Sequence, residues 1–155
     1  MTYLLLKYLH VLGGIIILGT GIGIAFFMLM AHRSGEPGFI ARTANNVVLA
    51  DYLFTATAVI AQPITGYLLM REMGIALSEK WIAASFVLYI AIGACWLPVV
   101  WLQRRMRDLA ATASATGEPL PPDYHRLFRL WFILGFPGFG AVLAIIWLMI
   151  SKPTW

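Results

Sequence analysis

The sequence is poor in charge and nearly devoid of cysteine. Asp, Glu, Lys and Arg make up 12% of its 155 residues, seven acidic against eleven basic, where a soluble domain carries about 25%. Apolar residues reach 61%, and the mean hydropathy is +0.82. So few charges cannot give such a chain a water-compatible surface, which excludes an ordinary soluble enzyme or regulatory domain. The single cysteine, Cys95, excludes an intrachain disulfide and leaves the redox compartment open. No phosphate loop, Ser/His/Asp set or paired zinc-ligand motif is present. The net charge of +4 does not signal a nucleic-acid partner. Its Lys and Arg residues cluster between long uncharged runs, where they report membrane orientation.

What is there is a set of four apolar runs, at about 4–31, 47–70, 81–103 and 130–151. Each holds roughly 22 or more residues, about 33 Å of helix, enough to cross a hydrocarbon core of about 30 Å. The runs show no alternating pattern, and a spanning segment must satisfy its own backbone amides, so strands are excluded. The expected fold is all-α: a polytopic membrane protein forming a single four-transmembrane-helix bundle embedded in the lipid bilayer. The first run is too long for a signal peptide and leads into His32-Arg33-Ser34-Gly35-Glu36-Pro37-Gly38 without a small-residue cleavage pattern, so it reads as a retained helix.

Connections 32–46 and 104–129 hold Arg33, Arg42, Arg104, Arg105, Arg107, Arg126 and Arg129; the other side holds Lys7, Arg71, Lys80 and Lys152. This bias predicts an inner membrane protein with those two connections cytoplasmic and both termini periplasmic. Trp and Tyr at the span ends (Tyr3, Tyr8, Trp81, Trp101, Trp131 and Trp155) are expected to form interfacial belts. Pro63, beside Gln62 in the second run, predicts a kink whose freed backbone groups Gln62 and Thr65 could satisfy.

Ionisable groups inside a membrane are costly and therefore become functional candidates. Lys7, at the edge, can snorkel to the headgroups. His10 lies about 9 Å below the boundary. At helical spacing it shares a face with Gly14, Ile17 and Gly21. An imidazole beside a face stripped of side chains suits a flat macrocycle held through iron, whereas glycines at such spacing, Gly19 and Gly23 included, also suit close helix packing. No second histidine lies at matching depth. His32, Asp51 and His125, with Asp123, form a weaker candidate metal site at the opposite face. Asp51 otherwise reads as an early-helix carboxylate near the positive end of the helix dipole.

Two stretches carry a resemblance. Lys7-Tyr8-Leu9-His10-Val11, with His32 beyond, and Phe128-Arg129-Leu130-Trp131 through Pro137 to Ser151-Lys152-Pro153 resemble the first and last helices of HemJ-type protoporphyrinogen oxidases. The closer similarity is to the bacterial family of domain-of-unknown-function 2269, with more distant likeness to the copper-resistance-D group. The resemblance implies haem b, or another tetrapyrrole, bound through His10 with a redox role. It does not carry over the oxidase activity, because the third span has no counterpart of that group's lysine. The alternatives are an accessory subunit in a homo-oligomer or larger membrane complex, and a copper permease or sensor using Met28, Met30, His32 and His125.

Overall fold

A computed structural model of the chain describes residues 1–154. The fold is the expected all-α architecture, with four helices long and apolar enough to cross a membrane. Helix α1 covers Thr2–Ser34 and α2 covers Pro37–Ala50. A single π turn, Asp51–Thr55, joins α2 without a break to α3, Ala56–Met73. Helices α4, Lys80–Thr116, and α5, Pro122–Ser151, complete the bundle.

The helices outrun the apolar segments at the Arg-rich end. The 37 residues of α4 rise about 55 Å, against a hydrocarbon core of about 30 Å. Most of 32–46 and 104–129 is therefore helical: α4 continues past its apolar run to Thr116, as the prolines at 119, 121 and 122 lead one to expect, and 37–46, expected as connection, is helix as well. The local reasons are plain. Pro37 and Pro122 stand in the first turn of their helices, where a missing N–H costs nothing. Gly35 and Gly117, at φ +67° and +70°, take the left-handed conformation that closes α1 and α4.

The best-packed part of the molecule lies toward this end. Met28, Ile40, Ala44, Met106, Ala110 and Tyr124 are wholly buried there, and alanines on α1, α2 and α4 allow close helix approach. A second, smaller cluster at the opposite end joins Trp81, Ile82 and Leu148. Elsewhere large apolar side chains point outward, among them Ile15, Phe27, Phe86, Phe136 and Trp147. In water this surface would drive aggregation; in a bilayer it is simply solvated by lipid.

Not all of the expected aromatic belt is interfacial. Tyr8 and Trp101 are exposed, but Trp81 and Trp131 are buried in the two clusters; Trp155 lies outside the described residues. Nor does Gln62 serve its own helix. Pro63 leaves the carbonyl of Val59, four residues earlier, without its helical N–H, and the Tyr89 hydroxyl of α4 donates to that carbonyl. The Gln62 amide instead crosses to α1 and donates to the His10 carbonyl at 2.8 Å.

The packing pairs α1 with α3 and α4 with α5, while α2 touches both α1 and α4. The two pairs meet at the ends of the bundle. Between them, within the apolar segments, runs a cleft.

Candidate functional site

The cleft encloses about 370 Å³, within the range of small-molecule sites. Its walls are apolar, with Ile17, Val59, Ile92, Val99 and Phe139 among them. Glycines help to keep it open. Gly21 on α1 and Gly135 on α5 line it, and a Cβ added at either would meet nothing within 4 Å.

At one end of these apolar walls stands a polar cluster: Asp51, Thr55, Trp96, Gln103 and Trp131. The π turn brings two of them together. The Ala56 N–H reaches back five residues to the Asp51 carbonyl, widening the helix by one residue. Asp51 and Thr55 are both buried as a result, while Tyr52, Leu53 and Phe54 between them face outward. Helix α4 contributes Trp96, whose indole N–H points to Asp51 Oδ1 at 3.4 Å, and Gln103, which flanks the same carboxylate. Helix α5 contributes Trp131.

The cluster is deeply buried and under-satisfied. Asp51 is 3% exposed and Gln103 1%. Among the described residues, Asp51 Oδ2, Thr55 Oγ1, Gln103 Oε1 and Trp131 Nε1 make no hydrogen bond of normal geometry, although the Thr55 and Gln103 side chains stand beside the carboxylate. An orphaned buried polar atom costs about 1–3 kcal/mol, so four in one place call for an explanation beyond packing. Among the described residues, Asp51 also forms no salt bridge with a Lys, Arg or His side chain. This overturns the reading of Asp51 as an early-helix carboxylate. Fourteen residues of α2 precede it in a continuous helix, so no helix N-terminus lies near, and dipole effects fade within the first turn.

The other candidates divide between places. His10 sits against α3. Its Nδ1 is 2.9 Å from Thr65 Oγ1, and its ring lies so close to Gly66 that a Cβ there would come within 3.2 Å of Cε1. The Thr65 hydroxyl already donates to the Ala61 carbonyl. With its proton on that carbonyl, the Thr65 oxygen can accept from His10 Nδ1–H, the tautomer that leaves Nε2 as the ring's acceptor. Gly13 and Gly14 face the Gln62 side chain, Gly13 within contact distance, so this part of the glycine face serves helix packing. Ile17 and Gly21 instead line the cleft. The predicted set is thus split, with His10 and Gly14 turned to α3 and Ile17 and Gly21 to the cavity.

At the Arg-rich end, the His32 ring stacks on Phe128 at 3.6 Å between centroids and meets His125 edge-on at 5.9 Å. Its Nδ1 is 3.4 Å from the Tyr124 hydroxyl. Among the described residues, no group of three or more His, Cys, Asp or Glu side chains is placed to hold a metal ion, and Asp51 belongs to the cleft. Met28 is wholly enclosed in the apolar core.

Sequence reasoning singled out Asp51 but missed its partners. Thr55, one helical turn on, was a legible signal. Gln103 closes an apolar run and Trp131 follows Arg129, positions that also suit a membrane boundary. Only tertiary packing turns them inward.

Neither a curated protein nor a solved structure matches the chain. A family model does, over nearly the whole length. Residues 4–153 match the family described as "Predicted integral membrane protein (DUF2269)", and with four apolar membrane-crossing helices the chain belongs to that family.

Proposed function

We propose that this integral membrane protein binds a small, mostly apolar molecule in the cleft between its two helix pairs, with the molecule's polar end on the Asp51 cluster. One observation carries the reading: four buried polar atoms from three helices, none with a partner among the described residues, converge on one end of an apolar cavity. A ligand that supplies the missing hydrogen bonds relieves their desolvation cost, and its apolar body fills the space between the helices. Native mass spectrometry of protein taken gently from its own membrane tests this. The expected result is a retained small molecule that disappears in Gly135→Leu, whose side chain occupies the cleft. Protein without adduct, unable to take up any amphiphile supplied, overturns it.

A second reading keeps one specific observation in its favour. Thr65 sits at His10 Nδ1, an arrangement that would leave Nε2 to hold a group such as haem b. If bound there, haem b would supply one-electron redox chemistry; His10 would hold it, and Thr65 and Gly66 would fix the His10 ring. A Soret band in detergent that vanishes in His10→Ala supports this reading. Protein that stays colourless after haem is added rejects it. For copper transport no comparable observation stands, since Met28 is enclosed and His32 is stacked on Phe128.

The setting of either site is an inner membrane, with the Arg-rich end cytoplasmic and the termini periplasmic, supported by the distribution of basic residues. Gly19 and Gly23 have nothing within 4 Å of a Cβ position, which supports close approach of a helix from a second copy or a partner subunit.

A further inference from the structure

We infer that the molecule held in the cleft is an amphiphile with a primary ammonium head, seated on Asp51 between Trp96 and Trp131. The inference rests on the reading of the cleft as a ligand site and adds the chemistry of the ligand. The first argument is the donor and acceptor inventory. Asp51 Oδ2 and Gln103 Oε1 are acceptors without a donor, Thr55 Oγ1 can accept as well as donate, and only Trp131 Nε1 is an obligatory donor. Thr55, Trp96 and Gln103 bring donors beside the carboxylate, yet among the unpartnered atoms acceptors outnumber donors. An ammonium brings three donors and no acceptor, and it matches the excess better than a hydroxyl, a carboxylic acid or a carbonyl does.

The second argument is charge. Asp51 is the one acidic residue inside the four apolar runs. It is 3% exposed, and among the described residues it pairs with no cationic side chain. A carboxyl group removed from water either keeps its proton or gains a counter-charge, and a ligand ammonium supplies the counter-charge. The indoles of Trp96 and Trp131 both line this end of the cavity, and tryptophan is the best aromatic partner for an organic cation. An anionic head would face the carboxyl group and is disfavoured.

The third argument is depth. Gln103 directly precedes Arg104 and Arg105, Trp131 stands two residues past Arg129, and Asp51 is four residues into the second apolar run. The polar cluster thus lies about a helical turn inside the Arg-rich boundary, while Ile17, Ile92 and Val142 carry the apolar walls toward the middle of the membrane. A molecule bound this way has its head near headgroup depth and its body in hydrocarbon, the orientation that an amphiphile of that leaflet already has. Two sources share this chemistry: a bilayer lipid with a primary ammonium headgroup, and a free long-chain amine.

The test is calorimetric titration of the full chain in phosphatidylcholine nanodiscs, with protein-free discs subtracted for partition. Dodecylamine, dodecanol and dodecanoate are the probes. One charge-assisted hydrogen bond network in place of a neutral one corresponds to about a 10-fold or greater advantage. The expected order is therefore amine over alcohol by about that factor, with dodecanoate weakest, and an amine-to-alcohol ratio that falls to within about threefold in Asp51→Asn. Should that variant fail to fold, the wild-type ratio still decides, and Gln103→Leu must lower it as well. If alcohol binds as tightly as amine, the ammonium assignment fails while the ligand site stands. If none of the probes binds, the ligand-site reading itself fails. Discs containing phosphatidylethanolamine then separate the sources: competition with dodecylamine assigns the site to the lipid headgroup, and undiminished amine binding assigns it to a free amine.

Discussion

Replacing Thr55 with valine should make the ligand-free protein more stable. The side chain is 6% exposed, and its hydroxyl, although beside the Asp51 carboxylate, makes no hydrogen bond of normal geometry among the described residues. Valine keeps the β-branched shape and the χ1 preferences of threonine, so backbone and packing are undisturbed. What changes is one buried, unpaired hydroxyl, whose removal returns its desolvation cost of about 1–3 kcal/mol. For a chain of this size that corresponds to roughly 2–4 °C in Tm per kcal/mol. The assay is thermal unfolding in detergent, followed by tryptophan fluorescence, with wild type and variant at equal concentration and the amphiphile removed by exchange. The same variant should bind the amphiphile more weakly, because the deleted hydroxyl is one of the groups that meets its head. Gain of stability with loss of binding is the signature of a strained functional site. A Thr55→Val protein that is less stable than wild type by a similar amount refutes the reasoning, since it means that the hydroxyl is satisfied in the folded protein.

Three further predictions concern the frame around the site. Tyr89→Phe removes the donor that caps the Val59 carbonyl freed by Pro63 and should lower stability by about 1–3 kcal/mol; adding Pro63→Ala, which restores the helical N–H, should recover most of that loss in a thermal double-mutant cycle. Gly13→Ala puts a methyl group into the Gln62 side chain and breaks its bond to the His10 carbonyl, a loss of about 1 kcal/mol that should shrink in the Gln62→Ala background. A Cβ at Gly19 meets nothing within 4 Å among the described residues, so in Gly19→Leu the monomer's Tm should stay within about 2 °C, while any oligomer built on the Gly19 and Gly23 face should dissociate in cross-linking or native mass spectrometry.

The gross fold was legible because lipid imposes few solutions. Long uncharged runs must be helices, and sparse charges must lie at their ends. Helix limits were less legible. The segment 37–46 looks like a connection when judged by charge alone, yet Pro37 is compatible with a helix start; the prolines at 119, 121 and 122 already allow the third helix to outrun its apolar stretch, and Gly117 supplies the stop. The site was half visible. An intramembrane carboxylate is an open signal, and Asp51 was noticed. Its role stayed hidden because the π turn that aligns it with Thr55, and the crossing of α4 and α5 that brings in Gln103, Trp96 and Trp131, are long-range outcomes of packing. His10 shows the converse. Its glycine neighbours were plain in the sequence, but spacing alone does not reveal that Gly13 accommodates Gln62, or that Gly66 on another helix takes the imidazole.

The central claim, a ligand site in the cleft above Asp51, is tested most directly by photolabelling in native-like bilayers. A dodecyl alcohol carrying an aliphatic diazirine serves as probe, because it presupposes no charge, and labelled peptides are located by mass spectrometry. Labels are expected to concentrate on cleft residues such as Val59, Ile92, Val99 and Phe139 and to be abolished by Gly135→Leu. Labels distributed instead over lipid-facing Phe27, Phe86 and Trp147, in the same proportion with and without the cleft-filling substitution, would contradict it.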